Sequence, residues 1–185
     1  MSPRSFAVRW HAAVVAMVLA LSYAQPAAGE EMPVQTTTGT IRIYDAASGT
    51  HKNVARIVRS EKEWKKLLTK EQYHVLREHG TEKPFCELPN RKIKAGIYQC
   101  AACGTDLFLI DAKFESGTGW PSFVMPIDAA NIGTTEDNSL GELRIEVHCA
   151  RCQGHLGHVF DDGPPPTHQR FCINSAALKF IPQEK

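Results

Sequence analysis

Two short motifs, Cys100-Ala101-Ala102-Cys103-Gly104 and Cys149-Ala150-Arg151-Cys152-Gln153-Gly154, constrain this chain more than any other feature. A Cys-x-x-Cys pair puts two sulfurs on one tight turn, and two such turns complete a tetrahedral sphere around a single ion. Segments far apart in sequence must then meet at one point. With four sulfurs in place no position is left for water or substrate, so the pattern predicts a structural zinc ion, one per chain, on Cys100, Cys103, Cys149 and Cys152. Gly104 and Gly154 are expected to supply positive φ in the two turns. Two other readings compete. One is a thioredoxin-like redox pair, although neither motif opens a βαβ helix; the other is two local disulfides, which so short a span would strain.

Among 185 residues, 43% are hydrophobic and 22% charged, material for one domain with its own core. A formal net charge of +1 gives no electrostatic reason to expect a nucleic-acid or anionic-membrane partner. Arg4 and Arg9 are the only charges before Glu30, and Ala12 to Leu21 is an unbroken apolar run. That run is too short to span a bilayer and ends in Ser22-Tyr23-Ala24, so residues 1–24 read as a signal peptide cut after Ala24. An uncleaved anchor and an organellar transit peptide are the alternatives. The first reading predicts an exported protein, periplasmic or secreted, with no membrane attachment after cleavage.

Residues 25–59 read as a linker followed by a possible hairpin, with Thr40–Asp45 and Asn53–Val58 flanking Ser48-Gly49. Ser60-Glu61-Lys62-Glu63 is a capping box ahead of Trp64, Leu67 and Leu68, and Thr69 to Gln72 repeats the pattern ahead of Tyr73 and Leu76. Gly80 sits where a left-handed C-cap would stop the second helix. Further on, Ile93–Gln99, Thr105–Ile110, Glu142–His148 and Arg170–Asn174 are short β-prone runs. Glu142–His148 alternates strictly, as a strand with one wet face does. The main domain is therefore expected to be antiparallel β with short helices at its N-terminal side.

Cys86 and Cys172 remain once the ligands are subtracted. A stabilising disulfide between them is one reading. Cys172, however, stands in His168-Gln169-Arg170-Phe171-Cys172-Ile173-Asn174-Ser175, where Arg170 and Asn174 at i±2 share its face on a strand. A neighbouring cation favours thiolate, the nucleophilic form, so Cys172 reads as a reacting group. His155 and His158 directly follow the second metal turn and suit proton exchange near neutrality, unless they simply hydrogen-bond within the fold or ligate the metal. Ser116-Gly117-Thr118-Gly119-Trp120-Pro121-Ser122-Phe123 presents an indole on a glycine-flanked turn. Trp120 is either a core residue or, with Phe123, an apolar wall for a methyl or thioether group, which points to a methionine-like substrate.

Taken together and in this order, GTGWPSF, CAAC with CARCQGHLGHVFDDGP, and RFCINSAALKF resemble the B-type peptide methionine sulfoxide reductases, which act on the R epimer. The resemblance runs from Ser60 to about Phe180 and defines a domain over residues 60–182. It implies a mainly β (α+β) fold of two antiparallel sheets braced by a four-cysteine zinc site, with short N-terminal helices. It makes Cys172 the nucleophile that becomes a sulfenic acid, with His158 and His155 assisting proton delivery. Arg170 and Asn174 would order the site, and Trp120, Phe123 and Phe160 would line the substrate. Many members carry a second, resolving cysteine at the position of Thr118. Threonine cannot form a disulfide, which leaves Cys86 as the candidate resolving residue, recharged by a thioredoxin-like reductant; the partners implied are oxidised proteins or peptides. Two rivals stay open from the residues alone: a zinc-ribbon binding module with a permanent Cys86–Cys172 disulfide, and a general thiol–disulfide oxidoreductase working through a CxxC pair.

Overall fold

A computed structural model describes residues 39–85 and 95–183; the expected signal peptide, the expected linker as far as Thr38, and Cys86 lie outside the described residues. Strand β1 (Thr40–Asp45) pairs with β2 (Thr50–Ala55) in a hairpin around Ser48-Gly49. The second strand begins at Thr50 rather than Asn53 because Asp45 turns the chain early. Its carboxylate accepts from the Ser48 hydroxyl at 2.7 Å and its carbonyl from Gly49 N–H at 2.9 Å.

Ser60 and Thr69 each complete a capping box, and helices α1 (Glu61–Leu67) and α2 (Lys70–Glu78) follow them. Such a cap contributes about 1 kcal/mol, which matters for helices this short. The stop signal differs from expectation: His79, not Gly80, is the left-handed residue, with φ 55°. Gly80 instead lies against the exposed His74 ring, which a Cβ there would displace. Trp64 is buried, with the Arg59 and Arg77 guanidinium groups 5.6 and 5.2 Å from its ring.

The rest of the domain is antiparallel β, as the sequence predicts. Strands β3 (Gly96–Cys100), β4 (Asp106–Leu109), β5 (Lys113–Phe114), β6 (Ser122–Phe123), β7 (Ile132–Asp137), β8 (Arg144–Cys149), β9 (His155–Phe160), β10 (Arg170–Ile173) and β11 (Leu178–Pro182) form two sheets besides the hairpin. One runs β5-β6-β10-β9-β8-β7, the other β11-β3-β4. Helix α2 packs on β9 and on the short turn Ser175–Ala177.

Strand periodicity separates core from site. Ile145, Val159, Phe171 and Phe123 lie opposite one another across four strands, and so do Glu146, His158, Cys172 and Ser122 in the next row. Successive side chains leave a strand on opposite faces, so the two rows part company. The first row enters the aromatic core, where Phe123 stacks on Phe108 at 4.3 Å and meets Tyr98 at 5.2 Å. The second row forms the face on which the polar groups gather.

Candidate active site and metal centre

The first cysteine motif makes the turn from β3 to β4 and the second makes the turn from β8 to β9. Cys100 Sγ lies 3.7 Å from Cys152 Sγ, and Cys103 Sγ lies 3.5 Å from Cys149 Sγ. A tetrahedral ion with metal–sulfur bonds of about 2.3 Å has sulfur–sulfur edges of about 3.8 Å, whereas a disulfide needs about 2.05 Å. The four sulfurs are thus positioned to hold one metal ion and are not paired as disulfides. In the first turn Gly104 takes φ 72°, as expected, but in the second the left-handed residue is Gln153 at φ 59°. Gly154 instead lies against Leu76 and the Cys152 sulfur. Arg77 Nη1 and Arg56 Nη1 donate to the carbonyls of Cys152 and Ala150 at 2.9 and 3.1 Å, tying helix α2 and the N-terminal hairpin to the second turn.

Cys172 is half-buried in β10, between Ser122 on β6 and His158 on β9. Burial pushes its thiol above the usual range, against the expectation of a lowered value; Arg170 and the Thr118 hydroxyl push back without reversing it. The folded protein therefore keeps this proton longer than the unfolded chain. The resulting stability is present below the unfolded thiol pKa and is lost as pH rises through the folded one. Iodoacetamide labelling of Cys172, followed by peptide mapping, should accelerate only at a higher pH than labelling of a free cysteine thiol does. Arg170→Ala should move that rise to still higher pH; an unchanged profile would remove Arg170 as the thiolate's partner.

Arg170 is fixed by a bidentate pair with Asp162, at 2.8 and 2.9 Å, and its guanidinium lies 4.4 Å over the half-buried Phe160 ring. His158 Nε2 meets Asp137 Oδ2 at 2.7 Å, and Arg144 donates to the same oxygen at 2.6 Å. Ser139 first, then His158 and Arg144, hold the Asp137 carboxyl well below the usual range, so it stays an acceptor. His155 Nδ1 meets Glu146 Oε1 at 2.6 Å. Burial pushes this imidazole down, toward its neutral form, with Glu146 opposing. The His155 and His158 rings are 5.4 Å apart, and His155 Nε2 is buried with no protein partner among the described residues.

The Trp120 turn is anchored from both sides. Ser116 Oγ contacts the Thr118 and Ser122 hydroxyls at 2.9 and 2.7 Å, and Trp120 Nε1 donates to the Glu82 carbonyl at 3.3 Å. Phe85 N–H donates to Gly119 O at 2.6 Å. At Gly119, with φ 85°, a Cβ would strike Pro84, so only glycine admits this segment so closely. Glu82 is buried; its carboxylate accepts from Ser175 N–H at 2.5 Å, Ser175 Oγ at 2.6 Å and Ala176 N–H at 2.8 Å. Asn174, one residue beyond β10 and buried, donates to Leu156 O at 3.0 Å and accepts from Glu82 N–H at 3.1 Å. It orders the turn after Cys172.

One expected site residue belongs elsewhere. Phe123 is fully buried and stacked in the aromatic core, so its ring cannot form a wall open to substrate. It neighbours Ser122, which does share the Cys172 row, and strand alternation sends the two side chains to opposite faces. Conversely, Glu82, Asp137, Glu146 and Asp162 join the site although no motif marks them. The one signal for Glu146 is the alternation of Glu142–His148, in which Arg144 and Glu146 are half-buried and bonded to Asp137 and His155 rather than facing water.

The fold and site define a β domain with four sulfurs positioned to hold a metal ion and a separate thiol set among imidazoles and a guanidinium. The SelR domain model matches residues 68–182, more than half of the chain. A protein of Methanosarcina mazei called peptide methionine sulfoxide reductase MsrB is 57% identical over 129 residues, covering 70% of this chain and 92% of that relative. Relatives of the same name from Agrobacterium fabrum and Pseudomonas aeruginosa are 48% and 52% identical, covering 69% and 65% of this chain and 94% and 92% of theirs. The chain belongs to the SelR-domain family of MsrB peptide methionine sulfoxide reductases.

Proposed function

We propose that this enzyme reduces the R epimer of methionine sulfoxide in peptides and proteins, with Cys172 as the nucleophile. Membership of a family of oxidoreductases supports the reaction class. The observation that carries the residue assignment is the row Ser122–Cys172–His158–Glu146, with Arg170 two residues from the thiol. In the first step the Cys172 sulfur attacks the sulfoxide sulfur and takes its oxygen, giving a sulfenic acid and methionine. His158, oriented by Asp137, and His155, oriented by Glu146, manage the proton on the departing oxygen. In the second step the Cys86 thiol attacks the sulfenic sulfur, a disulfide forms and water leaves. A dithiol donor of the thioredoxin class then returns both cysteines to thiols and is itself oxidised.

Cys86 lies outside the described residues, but Phe85 just before it is bonded to Gly119 beside Thr118 and Trp120, which supports an approach to Cys172. Cys86→Ser should turn over with dithiothreitol and fail with a thioredoxin-type donor. Equal loss with both donors would argue against a resolving role.

The four-sulfur centre is read as structural zinc, whose chemistry when bound is confined to cross-linking the two turns. Trp120, held by Glu82, is read as the platform for the sulfoxide methyl group, and Phe160 as its neighbour. Residues 1–24 are read as an export signal, placing the repair reaction outside the cytosol. The deciding assay follows methionine release from peptides carrying each sulfoxide epimer separately: turnover of the R form alone is expected, and equal use of both epimers would overturn the assignment.

A further inference from the structure

Apart from the four sulfurs, the described residues bring one other set of metal-binding side chains together. His79, Glu146 and His155 each offer a ligand atom, and these atoms all lie within 4.8 Å of one another. Glu146 Oε1 is 3.0 Å from His79 Nδ1 and 2.6 Å from His155 Nδ1. The His79 and His155 rings are 5.4 Å apart. Around a tetrahedral Zn2+ with bonds of about 2.1 Å, adjacent ligand atoms are about 3.4 Å apart, so both contacts of Glu146 open on binding, by about 0.4 Å to His79 and about 0.8 Å to His155.

Three separate elements converge here. His79 occupies the left-handed cap of α2, Glu146 lies in β8 and His155 opens β9. Exposure is graded across the set: the His155 side chain is 3% exposed, Glu146 13% and His79 65%. Two ligands thus form a nearly dry floor and the third is an arm reaching from solvent. The other His155 nitrogen has no protein partner among the described residues.

We propose that His79, Glu146 and His155 form a second divalent-metal site, of nitrogen–oxygen type, with its remaining positions open to water. Two imidazoles and one carboxylate select a borderline transition ion such as Zn2+ over Mg2+ or Ca2+, which take oxygen ligands. An ion there takes the place of the proton on His155 Nδ1, the atom that Glu146 otherwise holds.

The test is a binding measurement, so it stands apart from the reductase chemistry. Protein with its four-sulfur centre filled, and carrying Cys86→Ser and Cys172→Ser to silence the other thiols, is titrated calorimetrically with further Zn2+. One additional equivalent is expected. His79→Gly suits the left-handed position and preserves the fold, and it should weaken that equivalent at least tenfold. His74→Ala, an exposed histidine of the same helix, should leave it unchanged. No additional equivalent, or one that persists at full affinity in His79→Gly, overturns the site.

Discussion

Cys172→Ser is expected to yield a folded, metal-loaded protein whose reductase activity has fallen about a thousandfold or more. The fold should tolerate the change. Cys172 is half-buried on the polar face of its sheet, while the packing of β10 rests on Phe171 and Ile173, both buried in the core. The chemistry should not tolerate it, because a serine hydroxyl can neither be activated as a thiolate here nor hold the sulfoxide oxygen as a sulfenic acid. Methionine release from an R-sulfoxide peptide and zinc content, measured on one preparation, separate the two effects. Activity within a few-fold of the parent would remove Cys172 from the centre of the mechanism.

A change at the metal centre should act in the opposite way, through the fold rather than the reaction. Cys149 is fully buried at the end of β8, where its sulfur lies 3.5 Å from that of Cys103. Structural zinc sites contribute about 10–16 kcal/mol, as much as the whole net stability of a domain, about 5–15 kcal/mol. Cys149→Ser should therefore lose its metal and fail to show a cooperative thermal transition. A melting curve like the parent's would show that the four sulfurs are dispensable. Added zinc should not rescue the variant, because the missing ligand lies in the buried part of the centre.

The metal turns, both capping boxes and most strands were legible because their signals are local. Cys-x-x-Cys, Ser-x-x-Glu and alternating runs each specify a geometry within a few residues. What escaped the sequence depends on partners brought from elsewhere. Glu82 becomes part of the site only through amides at Ser175 and Ala176, and Asp137 only through His158. Phe123 was misplaced because its neighbour Ser122 shares the row of Cys172, while its own side follows from a strand register that no short motif encodes. His79 and Gln153 show a further limit. Glycine at the next position predicts the left-handed conformation there, yet the chain places it one residue earlier, on residues that tolerate it at modest cost.

The second cysteine turn joins β8 to β9, and the first ends β3, which gives the centre a bearing on the order in which the chain comes together. An ion linking Cys100 to Cys152 closes a loop spanning a sequence separation of 52 residues. For a cross-link of that length, chain entropy withdraws about 4 kcal/mol from the unfolded ensemble. The closed loop also presents β3 and β9 together, and these are the strands on which β11 and β10 pair. The C-terminal segment that carries Cys172 is thus expected to dock late, onto a template already tied at both ends, so that this sulfur is installed after its surroundings are in place.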